Sequence, residues 1–159
     1  MQNLKELLER LLKNNIDFVL VGGFASVLHG STLVTQDLDI CVAMADEEID
    51  KLRQALKDLN PIHRMNPNAK ISFMEQPKDL SNIKNIYLKT NLGILDIMSE
   101  LPPVGNFEVI KKNAIEINLY NYKCKVISLE DLIKIKESMT RPKDRETLNH
   151  LKQIQKMKK

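Results

Sequence analysis

The sequence predicts an α/β (α+β) fold: a mixed β-sheet of about five strands flanked by helices, with further helices at the C-terminal end. Three observations carry this expectation. Short apolar runs that suit buried strands recur along the chain, stretches with apolar residues at three-and-four spacing alternate with them, and Gly, Pro and Asn punctuate the boundaries. A length of 159 residues with 43% hydrophobic content suits one domain spanning 1–159, at roughly 150 residues per domain. Its core is expected over about 16–127, with a helical part over 128–159.

Leu4, Leu7, Leu8, Leu11 and Leu12 recur at helical spacing, and Asn14 and Asn15 can end that helix. Ile16 to Val21 then reads as a buried strand that Gly22-Gly23 breaks, and Phe24 to His29 as a short helix stopped by Gly30. Asp37 to Met44 reads as a strand, and Asp46 to Leu59 as a helix whose acidic opening suits the N-terminal dipole, with Pro61 closing the unit. Further strands are expected at Lys70 to Glu75, Ile86 to Thr90 and Gly93 to Ser99, the last two joined by a hairpin at Asn91-Leu92-Gly93. Ala114 to Leu119 and Lys123 to Ile127 form another hairpin about Tyr120-Asn121-Tyr122. Ser128 and Asp131 make a capping box for a helix, and after Arg141-Pro142-Lys143-Asp144 the helical pattern resumes through Leu148, Leu151 and Ile154 to a Lys-rich tail.

The net charge of +3 is unevenly spread: residues 123–159 hold eleven Lys/Arg against five Asp/Glu, so the remainder is net negative. A basic end attracts phosphate groups, although solvated Lys-rich helices are also common. Cys41 and Cys124 match neither a redox pair nor a zinc pattern and read as buried thiols. No run reaches the roughly 18 apolar residues that a membrane span needs, and the charged N-terminus is unlike a secretory signal, so a cytoplasmic location is expected.

The residues that carry chemistry begin with Asp37 and Asp39 in QDLDICV. Strand alternation projects both to one face, roughly 7 Å apart, with Leu38, Ile40 and Val42 opposite. Two such carboxylates repel unless a cation, a proton or a basic side chain lies between them, and the neighbouring residues supply no Lys or Arg. A divalent cation is the simplest resolution, and oxygen ligands suit Mg²⁺ or Mn²⁺, completed by water and the phosphates of a nucleoside triphosphate. Gly22-Gly23, between a strand and a helix, lets a phosphate approach the backbone. Asp96 lies within the apolar run LGILDIM, where an isolated carboxylate is costly. A strand beside Asp37 to Met44 would bring Asp96 to the other two, as a metal ligand or as the base for an attacking hydroxyl.

The order of these elements resembles the DNA polymerase β superfamily of nucleotidyltransferases. The stretch VLVGGFASVLHGSTLVTQDLDICV is similar to the signature of a Gly-Gly turn, a spacer and a DhDh strand, and Asp96 stands where a later strand carries the third Asp. SLEDLIKIKESMTRPKDRETLNHL resembles the tail of the minimal members, including those akin to abortive-infection toxins. The resemblance implies that Asp37 and Asp39 hold two Mg²⁺ ions, that Asp96 completes the site, that Gly22 and Gly23 cradle the triphosphate and that Lys136 contacts phosphate. It departs at Ser31-Thr32-Leu33-Val34, where many relatives carry an Arg.

The function expected is metal-dependent transfer of a nucleoside monophosphate to a hydroxyl of RNA, protein or a small molecule. By the resemblance it belongs in a toxin–antitoxin or defence setting, with tRNA or a protein as acceptor and a cognate antitoxin as partner. The alternative is a nucleotide- or RNA-binding module that keeps the fold without turnover. Thr35 is a candidate to order the carboxylates or bind phosphate, and Ser26 a weaker one, though such hydroxyls commonly satisfy backbone groups. His29 suits either a helix cap or a base contact. Arg141, Lys143 and Asp144 suit either a solvated helix corner or the site.

Overall fold

The computed structural model describes residues 3–158. Helix α1 (Leu4–Lys13) presents the buried leucines Leu7, Leu8, Leu11 and Leu12, and Asn3 caps it by accepting from the Glu6 amide. Strand β1 (Phe18–Val21) leads directly into α2 (Gly22–Leu28), which starts two residues before the expected Phe24. There follow β2 (Asp37–Val42), α3 (Asp46–Leu56) and a two-residue β3 (Ile62–His63). The hairpin β4 (Asn85–Thr90) and β5 (Gly93–Met98) turns through Asn91-Leu92, with Thr90 opposite Gly93.

A small ribbon of β6 (Glu100–Leu101) and β7 (Gly105–Asn106), then α4 (Phe107–Asn113), fills a stretch where the sequence suggested no regular element. Strands β8 (Ile115–Leu119) and β9 (Tyr122–Val126) close through Tyr120-Asn121, both at positive φ. That backbone matches the right-handed twist of a two-residue hairpin. Helices α5 (Leu129–Glu137) and α6 (Pro142–Met157) complete the described chain, and Lys159 of the Lys-rich tail lies outside it.

The main sheet has seven strands in the order β3-β4-β5-β2-β1-β9-β8 and is mixed, β1/β9 and β2/β5 being parallel and the other pairs antiparallel. It has seven strands where about five were expected: the hairpin β8/β9 forms one edge as the sequence suggested, and the short β3, which it did not suggest, forms the other. The strand expected over Lys70 to Glu75 does not form. Ser72 makes an isolated bridge to Ile62, and the segment folds over α3 instead. Phe73 is fully buried there, and the Arg53 guanidinium donates to the carbonyls of Phe73 and Pro77, at 2.7 Å each. Pairing with β3 is limited to two backbone bonds, from the His63 amide to the Ile71 carbonyl and from the Phe73 amide to the Pro61 carbonyl, at 2.9 Å each, and the apolar anchor and the Arg53 cation hold the rest.

Half of the expected capping box is present: Ser128 accepts from the Asp131 amide at 3.1 Å. Asp131 does not reach back, and its carboxylate accepts from Asn113 at 3.2 Å, which ties α5 to the end of α4. Both cysteines are buried. Among the described residues no helix is long and apolar enough to cross a membrane.

Leu38, Ile40 and Val42 face the hydrophobic core from β2, fully buried, while Asp37 and Asp39 point the other way. Replacing Leu38 by Ala leaves a cavity in the centre of the sheet. The expected loss is about 2–5 kcal/mol of unfolding free energy, read from urea denaturation.

Candidate active site

The topology decides which residues meet. Because β1 and β2 are antiparallel with Val21 opposite Asp39, the end of β1 brings Gly22-Gly23 beside the aspartates. A Cβ on Gly22 would overlap the Asp39 carboxylate, its distance to Cγ being 2.8 Å, and Gly22 has a φ of +69°. Glycine is therefore required twice over, by the backbone conformation and by the close approach. A Cβ on Gly23 would lie 2.7 Å from Thr35 Oγ1. Thr35 Oγ1 in turn donates to the Asp37 carbonyl at 3.0 Å, which fixes the start of β2.

In the parallel pair β2/β5, Asp39 is the register partner of Asp96, and Asp37 that of Ile94. Side chains of register partners share a face, so the strand adjacency inferred for Asp96 exists and all three aspartates lie on one side of the sheet. They are unequally partnered. Asp96 is buried, and both its oxygens are taken by Arg64, Oδ1 accepting from Nε at 3.1 Å and Oδ2 from Nη2 at 2.7 Å. Neither Asp37 nor Asp39 is in an ion pair or side-chain hydrogen bond of this kind among the described residues.

Arg64 is the residue that sequence reasoning missed. It follows β3, its amide donates to the Tyr87 carbonyl at 3.0 Å, and its guanidinium stacks over the Tyr87 ring at 5.2 Å. The one signal for it was the cost of burying Asp96, which demands a cation somewhere.

Burial, then the negative charges of Asp96 and Asp37, pushes the Asp39 carboxyl up to about 6, with Lys136 and Arg64 opposing. Burial also raises the Asp96 carboxyl, against the pull of Arg64. Lys136 reaches this region because β9 runs parallel to β1, so that the following helix α5 packs near α2 at the end of the sheet holding the glycines. Its ammonium donates to Asp144 at 3.1 Å, and Asp144, fully buried, also accepts from Arg141 Nε at 2.8 Å and Nη2 at 3.1 Å. Arg141, Lys143 and Asp144 line the cleft, and they also form the helix corner expected, with the break at Pro142 and Arg141 paired locally with Asp144.

A cleft of about 490 Å³ has Gly22, Gly23, Thr35, Asp37, Asp39 and Lys136 in its wall, whereas Asp96, expected to complete the site, lies outside that wall with Arg64. Ser26 also lines it, though its hydroxyl donates to the Gly22 carbonyl at 3.2 Å. The stretch lacking the arginine of the resemblance contributes Ser31, Leu33 and Val34, and Met98, Leu101 and Met139 add apolar surface. His29 is buried away from the cleft wall; its Nε2 donates to the Ile127 carbonyl at 2.7 Å, and burial lowers its pKa. That ring ties α2 to the end of β9.

No family model matches the chain, and no curated protein matches it either. Solved structures do. The crystal structure of the lincosamide antibiotic adenylyltransferase LnuA, bound to lincomycin, superposes with a TM-score of 0.64 at 21% identity, covering 95% of each chain. The fold is that of the nucleotidyltransferases. A putative nucleotidyltransferase from Thermotoga maritima shares this nucleotidyltransferase fold at a TM-score of 0.55 and 17% identity, over 92% of this chain and 88% of the other. A nucleotidyltransferase-like antigenic protein of Paracoccidioides brasiliensis gives 0.51 and 16%, over 94% and 72%. At these identities the likeness is one of fold.

The raised Asp39 carboxyl has a consequence for stability. Between the ordinary carboxylate value of 3.8 and about 6, the folded chain keeps a proton that the unfolded chain has lost. Stability therefore falls as pH rises through that window. Without divalent cations, Asp39→Asn is expected to be more stable than the wild type at neutral pH, by up to about 3 kcal/mol. The gain fades on acidification to about pH 4, as followed by urea unfolding across pH. For Gly22→Ala the crowding of Asp39 predicts lower thermal stability at every pH.

Proposed function

We propose that this chain transfers a nucleoside monophosphate from a nucleoside triphosphate to a hydroxyl group, using Mg²⁺ or Mn²⁺ held by Asp37 and Asp39. The observation that carries the proposal is the meeting of Gly22-Gly23, the aspartate pair and Lys136 in one cleft of about 490 Å³. That volume lies within the roughly 300–1,000 Å³ of small-molecule sites. The donor set fits the cation: Asp37 and Asp39 offer oxygen ligands on one strand face, side by side in the cleft wall and without an ion-pair partner among the described residues.

Bound there, the cation supplies charge neutralisation for the phosphate oxygens and the departing pyrophosphate. The chain's own residues do the rest. Gly22 and Gly23 admit the phosphates to the backbone, and Lys136, steadied by Asp144, offers them an ammonium. Thr35 holds the start of β2 so that the two carboxylates keep their direction. The acceptor oxygen attacks the α-phosphorus, the bond to the bridging oxygen of the pyrophosphate breaks, and the hydroxyl proton passes to water, because Asp96, the base that the sequence suggested, gives both its oxygens to Arg64.

For the acceptor, the apolar wall of Leu33, Val34, Met98 and Met139 favours a small hydroxylated molecule with an apolar face. The likeness to an antibiotic adenylyltransferase crystallised with lincomycin supports that choice. The basic C-terminal end favours a second acceptor class, tRNA or a protein, in a toxin–antitoxin pair with a cognate antitoxin. Growth arrest on expression, relieved by Asp39→Ala, separates the two settings.

Labelled nucleotide should pass to an acceptor in the presence of Mg²⁺, and Asp37→Ala or Asp39→Ala should reduce transfer to background. Lys136→Ala should weaken triphosphate binding. Equal transfer by wild type and Asp39→Ala would sink the mechanism. Calorimetric triphosphate binding without turnover on any acceptor class would instead identify a binding module of the same fold, the reading that the missing arginine at residues 31–34 favours.

A further inference from the structure

The three aspartates share one sheet face, yet only two of them are free to take a cation. Asp96 gives both oxygens to the Arg64 guanidinium, in the bidentate arrangement that is the strongest geometry for such a pair. The guanidinium is itself fixed, by stacking on Tyr87 and by the Arg64 amide bond to the Tyr87 carbonyl. Tyr87 is the register partner of Asp96 across β4/β5, so the clamp is built on the strand next to the carboxylate it holds. A divalent cation on Asp96 would have to displace a positive group already seated there, or bind within a few ångströms of it against Coulomb repulsion. Among the described residues no group of three His, Cys, Asp or Glu side chains is close enough to hold one metal ion. Every buried side-chain nitrogen and oxygen among them has a hydrogen-bond partner.

We infer that the chain has one divalent-cation site, on Asp37 and Asp39, and that Arg64 stands in for a second cation by holding Asp96. This rests on the metal-dependent reading of the cleft and departs from the two-ion arrangement that the family resemblance implies. In that role Arg64 is a positioning residue. It keeps Asp96 in one orientation and neutralises it without a bound ion.

The test counts Mn²⁺ ions on the full chain without nucleotide, from the electron paramagnetic resonance signal of free Mn²⁺ during titration. The wild type should bind one ion, lost in Asp39→Ala. In Asp96→Asn the affinity should stay within about twofold, far from the ~10–100-fold loss that follows disruption of a metal's ligands or their partners. Arg64→Gln should bind a second ion, and Arg64→Gln with Asp96→Asn should not.

Two ions on the wild type, none up to millimolar Mn²⁺, or a loss of about tenfold or more in Asp96→Asn would overturn the inference. A single ion on folded Arg64→Gln would overturn it as well. Should circular dichroism show Arg64→Gln unfolded, the comparison of wild type with Asp96→Asn decides alone. The count is independent of turnover. One ion bound with no nucleotide transfer removes the proposed reaction and leaves the cation assignment standing, whereas transfer with two ions bound does the reverse.

Discussion

The register of β2 against β5 is the constraint on which the site depends. With Asp39 set beside Asp96 and Asp37 two residues away on the same face, negative charge is concentrated on a half-buried surface. Carboxylates so placed must bind a cation, keep a proton or lie near a positive side chain. The molecule divides these solutions among them. Asp96 has Arg64, Asp39 has a raised pKa and the distant help of Lys136, and the pair Asp37/Asp39 keeps oxygen atoms directed into the cleft.

Sheet connectivity then brings the other parts to that face. The antiparallel β1 delivers Gly22-Gly23 to the start of β2, where any side chain at Gly22 would collide with Asp39. The parallel β9 sends α5 to the same end of the sheet, and Lys136 with it. Helix α6 contributes Asp144, buried between the charges of Lys136 and Arg141, so the wall of the cleft opposite the aspartates is held by a compact ion network. A buried carboxylate with two cationic partners is costly to break, which holds Lys136 in position more firmly than a single exposed pair would.

How much of this was legible in the sequence follows from the range of the interactions. Strand alternation alone sets Asp37 and Asp39 on one face, since that depends only on the two-residue period of the backbone. The turn at Gly22-Gly23, the leucine face of α1, the cap at Ser128 and the two hairpins are likewise local. The strand expected over Lys70 to Glu75 was the main error, because Phe73 there serves as a buried anchor and Arg53 takes its carbonyl, leaving only a bridge to β3. Propensity yields to tertiary contacts of that kind. The role of His29 was open, and the carboxylate of Asp131 was assigned to a capping box that it does not complete, for the same reason: their hydrogen bonds go to Ile127 and Asn113, far along the chain.

The sequence by itself therefore determined the aspartate pair, the glycine turn and the need for positive charge near Asp96, all consequences of backbone period and the cost of burying a carboxylate. It did not determine which cation meets that need. Reading along the chain finds no basic neighbour and points to a metal. The tertiary structure instead folds Arg64 back across β4, from 32 residues away in sequence, onto the carboxylate of Asp96. Pairing between strands is non-local, and only the folded sheet decides which charges become neighbours.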